Sequence, residues 1–569
     1  MNVIVCGAGI AGLATALRLS ALDVRVTVLE RAAAPRDQGY MIDLFGPGLE
    51  VLRAGGLLPM LRERGYQVTS ARYRDARGRE RARISYDSVG AALGDGLVSI
   101  MRPDLESVLR EALPPTVQIR YGSRLQGIDR SGDGVTVTTA DGDILRADLL
   151  IGADGIHSTV RELIFGPERD FLHYLGYHTA AYTFADPELS RQLSAEFALT
   201  DSVNRMLGCY GLRDDRVAVF AVHRTPDPTM PGDARAAIRQ TYAGLGWVTP
   251  QLLLACPPAS AVYYDQVAQV RMPHWINGRV ALVGDACYAV SLLAGQGASM
   301  AIAGGQVLAE RIASAAGSGD LQAALHDYQN TLRPMIEDRQ RSGRRTARWF
   351  VPASRSALAV RRVMLAGARL PGINQIVTRR LTGKPSAILA EARAVGAATA
   401  KPSGGKAPVT SKRPTGLLRW ALRLPIWLYR AHLGWILGHR LVYLAHRGRT
   451  SGQRREVVVE AVRFDPATHE VTVIAAWGGI PQWYRNLRAA PAIEVRTGRN
   501  HWVAPHQRFL DAGETLRVLK EYQRAHPAAF RQIGPRLGFP ADPGDPAWPA
   551  VAARVHAVAF GPPAVAAPL

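Results

Sequence analysis

The chain has 569 residues, 47% of them hydrophobic and 21% charged, and a formal net charge of +21. That length exceeds one ordinary core, so two to four domains are expected, and the composition excludes general disorder. Residues 401–569 hold 24 Lys/Arg against 10 Asp/Glu, so two thirds of the excess sits in the last third, favouring phosphates, anionic cofactors or acidic lipid there.

No nucleic-acid recognition motif accompanies the charge, so nucleic acid is not an expected partner. The four cysteines, Cys6, Cys209, Cys256 and Cys287, are scattered without metal or disulfide spacing, as in a reducing compartment. The first apolar run starts at residue 2 and none is long enough to span a bilayer. The expectation is a cytoplasmic protein.

Residues 1–6 form a short, β-branched apolar run that reads as a buried parallel strand. Gly7, Gly9 and Gly12 follow at G-x-G-x-x-G spacing, then an Ala/Leu-rich helix over 13–22. A second apolar strand, 24–29, ends on Glu30, with Arg31 beside it. In such a unit the first glycine makes the tight turn and the second lets the backbone approach a pyrophosphate. The third lets helix pack on strand, and the helix N-terminus faces the phosphates. Glu30 stands where a carboxylate can take the hydroxyls of an adenosine ribose. A glycine-rich turn that merely packs a strand on a helix would leave Glu30 unexplained.

An Arg/Pro/Gly loop (31–48) comes next, then a helix over 49–64 and exposed antiparallel strands over 66–86. Arg102-Pro-Asp opens another helix. A four-strand antiparallel meander is expected over 117–121, 125–130, 135–139 and 144–147, with Gly-Asp-Gly and Asp-Gly turns. It delivers a buried strand ending in GADGIHSTVR, where Asp154 and Arg161 supply charge beside a small-residue turn. Residues 170–270 read as a mostly β, substrate-facing segment. Arg213, His223 and Tyr264 stand there as isolated polar residues expected to be structural.

A third strand-to-acid unit is GRVALVGDACYAVSLLAGQGAS. Asp285 can accept from a ribitol hydroxyl, and the amides from Gly295 through Gly297 to Ala298 open a long Ala-rich helix able to hold an anionic oxygen. Asp154 and Asp285, taken singly, could also be helix caps.

GAGIAG with Glu30, GADGIHSTVR and GRVALVGDACYAVSLLAGQGAS together resemble the three FAD fingerprints of the single-component flavoprotein aromatic hydroxylases, the para-hydroxybenzoate hydroxylase type. The likeness covers about residues 1–385. It implies that Gly7, Gly9 and Gly12 hold the pyrophosphate, Glu30 the ribose and Asp285 the ribitol. It further implies that Arg102 reaches the FAD and that the turn at Asp154-Gly155 serves both FAD and NAD(P)H. The implied activity is NAD(P)H- and O2-dependent hydroxylation of a hydrophobic aromatic or polycyclic substrate. Tyr288 and Leu292 stand where that family usually has His and Pro. A flavin reductase or dehydrogenase without oxygen transfer is the alternative.

Residues 321–382 read as helical with Arg-rich faces. The Pro/Gly/Ser/Lys composition of 396–416 places a linker at 386–416, between a first domain (1–385) and a second (417–569). Residues 417–440 mix Trp and Leu with Arg around Pro425. They suit a helix packing on the second domain or a peripheral membrane contact.

Strands are expected over 441–445, 456–464, 470–476, 493–496 and 500–505. Between the first two lies HRGRTSGQRR, an anion-binding loop by its glycines and arginines or a plain basic hairpin. HRGRTSGQRR, IAAWGG and QWYRNLRAAP together resemble the deazaflavin-dependent nitroreductase family, small split β-barrels that bind coenzyme F(420), over about 435–560. The resemblance implies that Gly448, Arg449, Ser451, Gly452 and Arg455 contact the coenzyme phosphate. It places Trp483, Tyr484 and Asn486 near ring and substrate. Thr450 and Trp477 depart from the Lys common there. The expected fold is α/β: a Rossmann-like FAD-binding domain with a mixed β-sheet substrate region, followed by a small split β-barrel domain. The alternative for the second domain is a non-catalytic membrane- or partner-docking module.

Overall fold

The computed structural model describes residues 1–367 and 441–563, together with Tyr429, Gly438 and His439, apart from 37, 87–89, 91–95, 131–132, 440, 467, 476–480, 526–529, 531–544 and 546–547. It divides into two compact units, Met1–Pro402 and Ser403–Leu569. The expected linker at 386–416 lies outside the described residues, as does nearly all of 417–440.

In the first unit the apolar run at the start becomes the strand Asn2–Cys6, central in a six-stranded sheet. Arg25–Leu29 and Gln118–Arg120 lie parallel on one side of it, Leu149–Gly152 and Val280–Leu282 parallel on the other, with a short antiparallel edge at Ile276–Asn277. The G-x-G-x-x-G turn leads into the helix Ile10–Ser20, which packs against the long helix Gly297–Ser318. This approach needs glycine. A Cβ on Gly305 would lie 2.5 Å from Thr15 Oγ1.

Three expectations change. The helix expected over 49–64 is two, Pro47–Ala54 and Leu58–Arg64, because Gly55 and Gly56 (φ +77) end the first. The strand Gln118–Arg120 does not join the antiparallel meander but extends the parallel sheet beside Arg25–Leu29. Only Leu125–Asp129, Val135–Thr139 and Ile144–Ala147 form the antiparallel three. Within the segment read as the loop 31–48, Met41–Leu44 is a strand paired with Val98–Met101.

A seven-stranded sheet forms the second layer, in the order Tyr263–Val270, Leu172–Ala185, Arg216–Arg224, Arg205–Gly211, Glu196–Ser202, Ser70–Arg74, Glu80–Ser85. Its outer face packs Ala180, Val217, Val219 and Ala221 against Ile238, Tyr242, Leu252 and Leu253 of two helices. Its other face meets the first layer across a cavity. The helices Leu321–Phe350 and Arg355–Gly367 follow.

The second unit is built on an antiparallel sheet that curls into a half-barrel, consistent with a split barrel. Its order is Asn500–Val503, Glu494–Thr497, Leu441–Arg447, Arg454–Phe464, Val471–Ala475, His556–Gly561, His506–Phe509. Val442, Leu444, Val471, Val473, Val495, Val558 and Phe560 close its core, with Tyr484 and Leu487 of the helix Gln482–Ala489. Among the described residues no helix is long and apolar enough to cross a membrane.

At Gly12 a Cβ would come within 1.8 Å of the Gly7 carbonyl oxygen. Ala raises helix propensity by up to about 1 kcal/mol over Gly, but the obstacle is rigid backbone. Gly12→Ala is therefore expected to destabilise the first unit by about 1–3 kcal/mol, read as a lower denaturation midpoint at unchanged slope.

Candidate functional site

The parallel register brings three turns to one edge. Gly7 N–H donates to Leu29 O at 2.7 Å, Ala153 N–H to Cys6 O at 2.7 Å, and Val283 N–H to Gly152 O at 2.9 Å. A cavity of about 790 Å³ opens beside them, within the range of small-molecule and cofactor sites. Gly7, Gly9, Glu30, Arg31, Arg102, Asp154, Asp285, Gly295, Gly297 and Ala298 all line it. Gly12 lies behind the turn and serves packing.

Two helix N-termini open on this space, at Gly9 and at Gln296, and neither has a side-chain cap. Their N–H groups are thus left for an anion. A Cβ on Gly9 would lie 3.9 Å from an Arg102 nitrogen, and one on Gly297 would lie 3.9 Å from Asp285 Oδ1. The amides, a guanidinium and a carboxylate therefore share one wall. Glu30 accepts from Ala8 N–H at 2.8 Å and Ala32 N–H at 2.9 Å, which fixes its carboxylate at the strand end.

The charges are tuned by enclosure. Burial opposes ionisation of Arg102, but Glu106 and the phenols of Tyr40 and Tyr263 more than offset it, and the guanidinium is held above its ordinary value. The Arg102–Glu106 pair spans 3.1 Å. Burial raises the Asp285 carboxyl, and Arg102 opposes the rise. Asp154 is raised likewise, against hydrogen bonds from Ser158 Oγ (2.5 Å) and Val160 N–H (3.0 Å). Asp154 thus steadies the start of the helix Thr159–Phe165 as well as lining the cavity, so the capping alternative holds for it in part.

Arg161 is fully buried and joins two of the turns. Its guanidinium donates to Ile156 O (2.8 Å), Ala286 O (3.0 Å) and Glu168 Oε2 (2.8 Å). Tyr288 points away from the cavity into the core, against Trp275 and beneath the long helix, where a Cβ on Gly304 would strike its hydroxyl. Leu292, by contrast, lines the cavity.

Sequence reasoning missed the aromatic half of the cavity. Tyr73, Phe197, Tyr210, Phe220 and Tyr263 line it from five strands of the seven-stranded sheet and Tyr40 from just before the strand Met41–Leu44, with Asp43 and Tyr86 also on the lining. Only the reading of residues 170–270 as a mostly β, substrate-facing segment hinted at such a wall. Arg213 braces Glu63 O and Gly65 O and lies over Tyr66. His223 contacts Tyr242 Oη (3.1 Å), and Tyr264 Oη contacts His178 Nδ1 (3.2 Å).

In the second unit the loop after Leu441–Arg447 closes by Gly448 N–H to Gln453 O (2.9 Å) and Gly452 N–H to Gly448 O (2.8 Å). A Cβ on Gly448 would lie 2.6 Å from Ser451 Oγ and 3.2 Å from Arg455 Nε, so these three groups converge. Gly452 has φ +64. Asn486 is buried and ties loop to helix, its Oδ1 accepting Arg449 N–H at 3.2 Å and its Nδ2 standing 3.2 Å from His446 Nδ1. Arg449 and Arg455 are exposed. Tyr484 is buried, stacked on His556 at 5.0 Å, while Trp483 beside it stays half-buried. Trp477 lies outside the described residues.

The family model described as an FAD binding domain matches residues 1–341. The chain belongs to that FAD-binding family. A second model, described as an F(420)H(2)-dependent quinone reductase, matches residues 421–534. An uncharacterized protein of Mycobacterium tuberculosis is 36% identical over 335 residues, 58% of this chain and 87% of the relative. A flavin-dependent monooxygenase of Legionella longbeachae is 28% identical over 351 residues, 60% of this chain and 88% of the relative. Among solved structures, tetracycline destructase Tet(55) aligns at 26% identity and TM-score 0.56, covering 68% of this chain and 97% of that one. This FAD-binding family member is thus an oxidoreductase of the flavin-dependent monooxygenase type, with a domain of the deazaflavin-dependent reductase type after it.

His157, in the second turn, bridges the layers: Nε2 lies 3.2 Å from Asp265 of the substrate sheet and Nδ1 3.0 Å from Glu168. The hydrogen bond to Asp265 contributes most to pushing its pKa up to about 9, partly opposed by burial. A raised folded-state pKa means stabilisation that is full below about 6.5, the unfolded value, and is lost as pH rises through about 9. His157→Gln is expected to flatten the fall in stability between these limits, measured by denaturant melts across pH 6 to pH 9.5.

Proposed function

We propose that the first unit binds FAD along the cavity and uses NAD(P)H and O2 to hydroxylate a hydrophobic aromatic, polycyclic or quinonoid substrate. The observation that carries this is the convergence of three strand-end turns, two uncapped helix N-termini and Arg102 on one cavity wall, with aromatic side chains opposite. The amides after Gly7 and Gly9 would take the pyrophosphate, Glu30 the adenosine ribose with Arg31 at its edge, and Asp285 the ribitol. The amides of Gly295, Gly297 and Ala298 would face the ring. Asp154 would fix the turn against which the cofactor lies.

FAD supplies the electron transfer and oxygen activation when bound. The chain's residues orient the ring and hold the substrate, and the wall of Tyr40, Phe220 and Tyr263 excludes water from the reacting atoms. In the second unit Gly448, Arg449, Ser451, Gly452 and Arg455 would hold the phosphate of a deazaflavin such as F(420). Trp483 would lie nearest the ring. Tyr484 and Asn486 would act by holding helix and loop in place.

We infer that the two units act on one substrate in succession, since covalent linkage raises the concentration of one site near the other. Asp285→Asn is expected to weaken FAD binding at least about tenfold, about 1.4 kcal/mol, in a flavin-fluorescence titration. A wild-type chain that takes up no FAD would overturn the reading. For the coupling, a full chain carrying Asp285→Asn mixed with one carrying Arg455→Ala should form product more slowly than wild type at equal site concentration. Equal rates would remove the case for succession on one chain.

A further inference from the structure

In the aromatic half, Asp43 is a carboxylate that packing does not explain. On the strand Met41–Leu44, Leu44 is fully buried and Ile42 packs against the same core; Asp43 alternates with them and lines the cavity. Ser99, its cross-strand partner, donates to Oδ1 at 2.6 Å, and Tyr86 Oη donates to Oδ2 at 2.9 Å. Among the described residues Asp43 has no ion-pair partner. Tyr86 itself packs with Tyr73, Ile84, Phe197 and Leu199. Burial raises the carboxyl, and the two donated hydrogen bonds, which favour the ionised, accepting form, offset part of that rise.

A carboxylate oxygen has two acceptor sites, and the protein fills one on each. An apolar, aromatic wall therefore presents open acceptor capacity and no matching cation. To the ionised carboxylate, the form on which Ser99 and Tyr86 both donate, a quinone offers only carbonyl oxygens, acceptor against acceptor. The hydroquinone of the same ring offers O–H donors. We propose that Asp43 selects the hydroxyl-bearing, reduced form of an aromatic substrate over its quinone, so that the second unit's reduction precedes the first unit's oxygenation.

This rests on the monooxygenase reading above and fixes an order within it. In the first step the quinone takes a hydride from the reduced deazaflavin and a proton from water, giving the hydroquinone and oxidised coenzyme. In the second, a ring C–H becomes C–OH. One oxygen atom of O2 enters the ring, the other leaves as water, and NAD(P)H supplies the two electrons. Hydroxyl groups donate electron density to the ring, so the form that Asp43 favours is also the one richer in electrons for oxygen transfer.

The test is equilibrium binding to the FAD-loaded full chain without oxygen, using 1,4-naphthohydroquinone against 1,4-naphthoquinone. A redox-inert pair, 2-naphthol against 2-methoxynaphthalene, is measured beside them. Wild type is expected to bind the hydroxyl-bearing member of each pair at least about tenfold tighter. Asp43→Asn, which keeps the shape but adds a donor, is expected to remove most of that preference. The redox-inert pair on wild type needs no variant, so a misfolded Asp43→Asn does not spare the idea. Equal binding within both pairs in wild type, or a preference unchanged in a folded Asp43→Asn, overturns it. A chain that takes up no FAD instead overturns the monooxygenase reading, which keeps the two failures apart.

Discussion

The whole first unit depends on a run of backbone hydrogen bonds across strand ends: Leu29 O to Gly7 N–H, Cys6 O to Ala153 N–H, Gly152 O to Val283 N–H. Each links the end of one parallel strand to the turn of its neighbour. Parallel pairing makes this possible, because all strands finish at the same edge and their turns must lie side by side. The turns then crowd one another, and small residues become obligatory. A Cβ on Gly7 would lie 2.5 Å from Ala153 O, and Gly7 holds φ +106, which side chains avoid. Thus the same crowding that fixes the fold bares the amides and brings Glu30, Asp154 and Asp285 to one place, though they are spread over more than 250 residues of chain.

That constraint explains what could be read from the amino acids. The three turns announced themselves because each must be small, glycine-bearing and followed by an acid or a helix, and those demands leave a local pattern. The Asn2–Cys6 strand, the Ile10–Ser20 helix and the cavity-lining acids were legible for that reason. The sheet membership of Gln118–Arg120 was not, because an edge strand of three residues has no continuous apolar run, and nothing local separates parallel from antiparallel pairing. Met41–Leu44 hid inside a Pro/Gly-rich stretch, since its stability comes from Val98–Met101, more than fifty residues away. The aromatic chamber was illegible for the same reason. Tyr40, Asp43, Tyr86, Phe197 and Phe220 form no motif and meet only when two layers close on each other.

The second unit shows the same division. Its basic loop was recognisable because Gly448, Ser451 and Arg455 must converge within eight residues, and the spacing records it. The use of Asn486 was harder to foresee. Its side chain is spent on Arg449 N–H and His446, so it shapes the loop from behind while the exposed arginines face outward. Arg454, in the middle of the basic run, pairs with the buried Glu494, as Arg496 and His501 do. Positive charge in that loop is therefore of two kinds, one that is paired within the sheet and one that remains exposed.

A division between charge and apolar surface also runs through the cavity of the first unit. At the turn end the wall is amides, Arg102 and carboxylates, and the cost of enclosing Glu30 and Arg102 there is offset by hydrogen bonds already in place. At the far end the wall is aromatic, and binding there draws on burial of apolar surface, about 25 cal/mol per Å². His157 connects the two regimes, and Arg161 braces the turn that carries it. Arg161 locks the second turn to the Asp285 segment, and His157 ties that turn to Asp265 on the substrate sheet. A shift of the sheet would therefore strain the turn that lines the nucleotide end. The tie between the two halves of the cavity therefore runs through His157, at the junction of the second turn and the sheet.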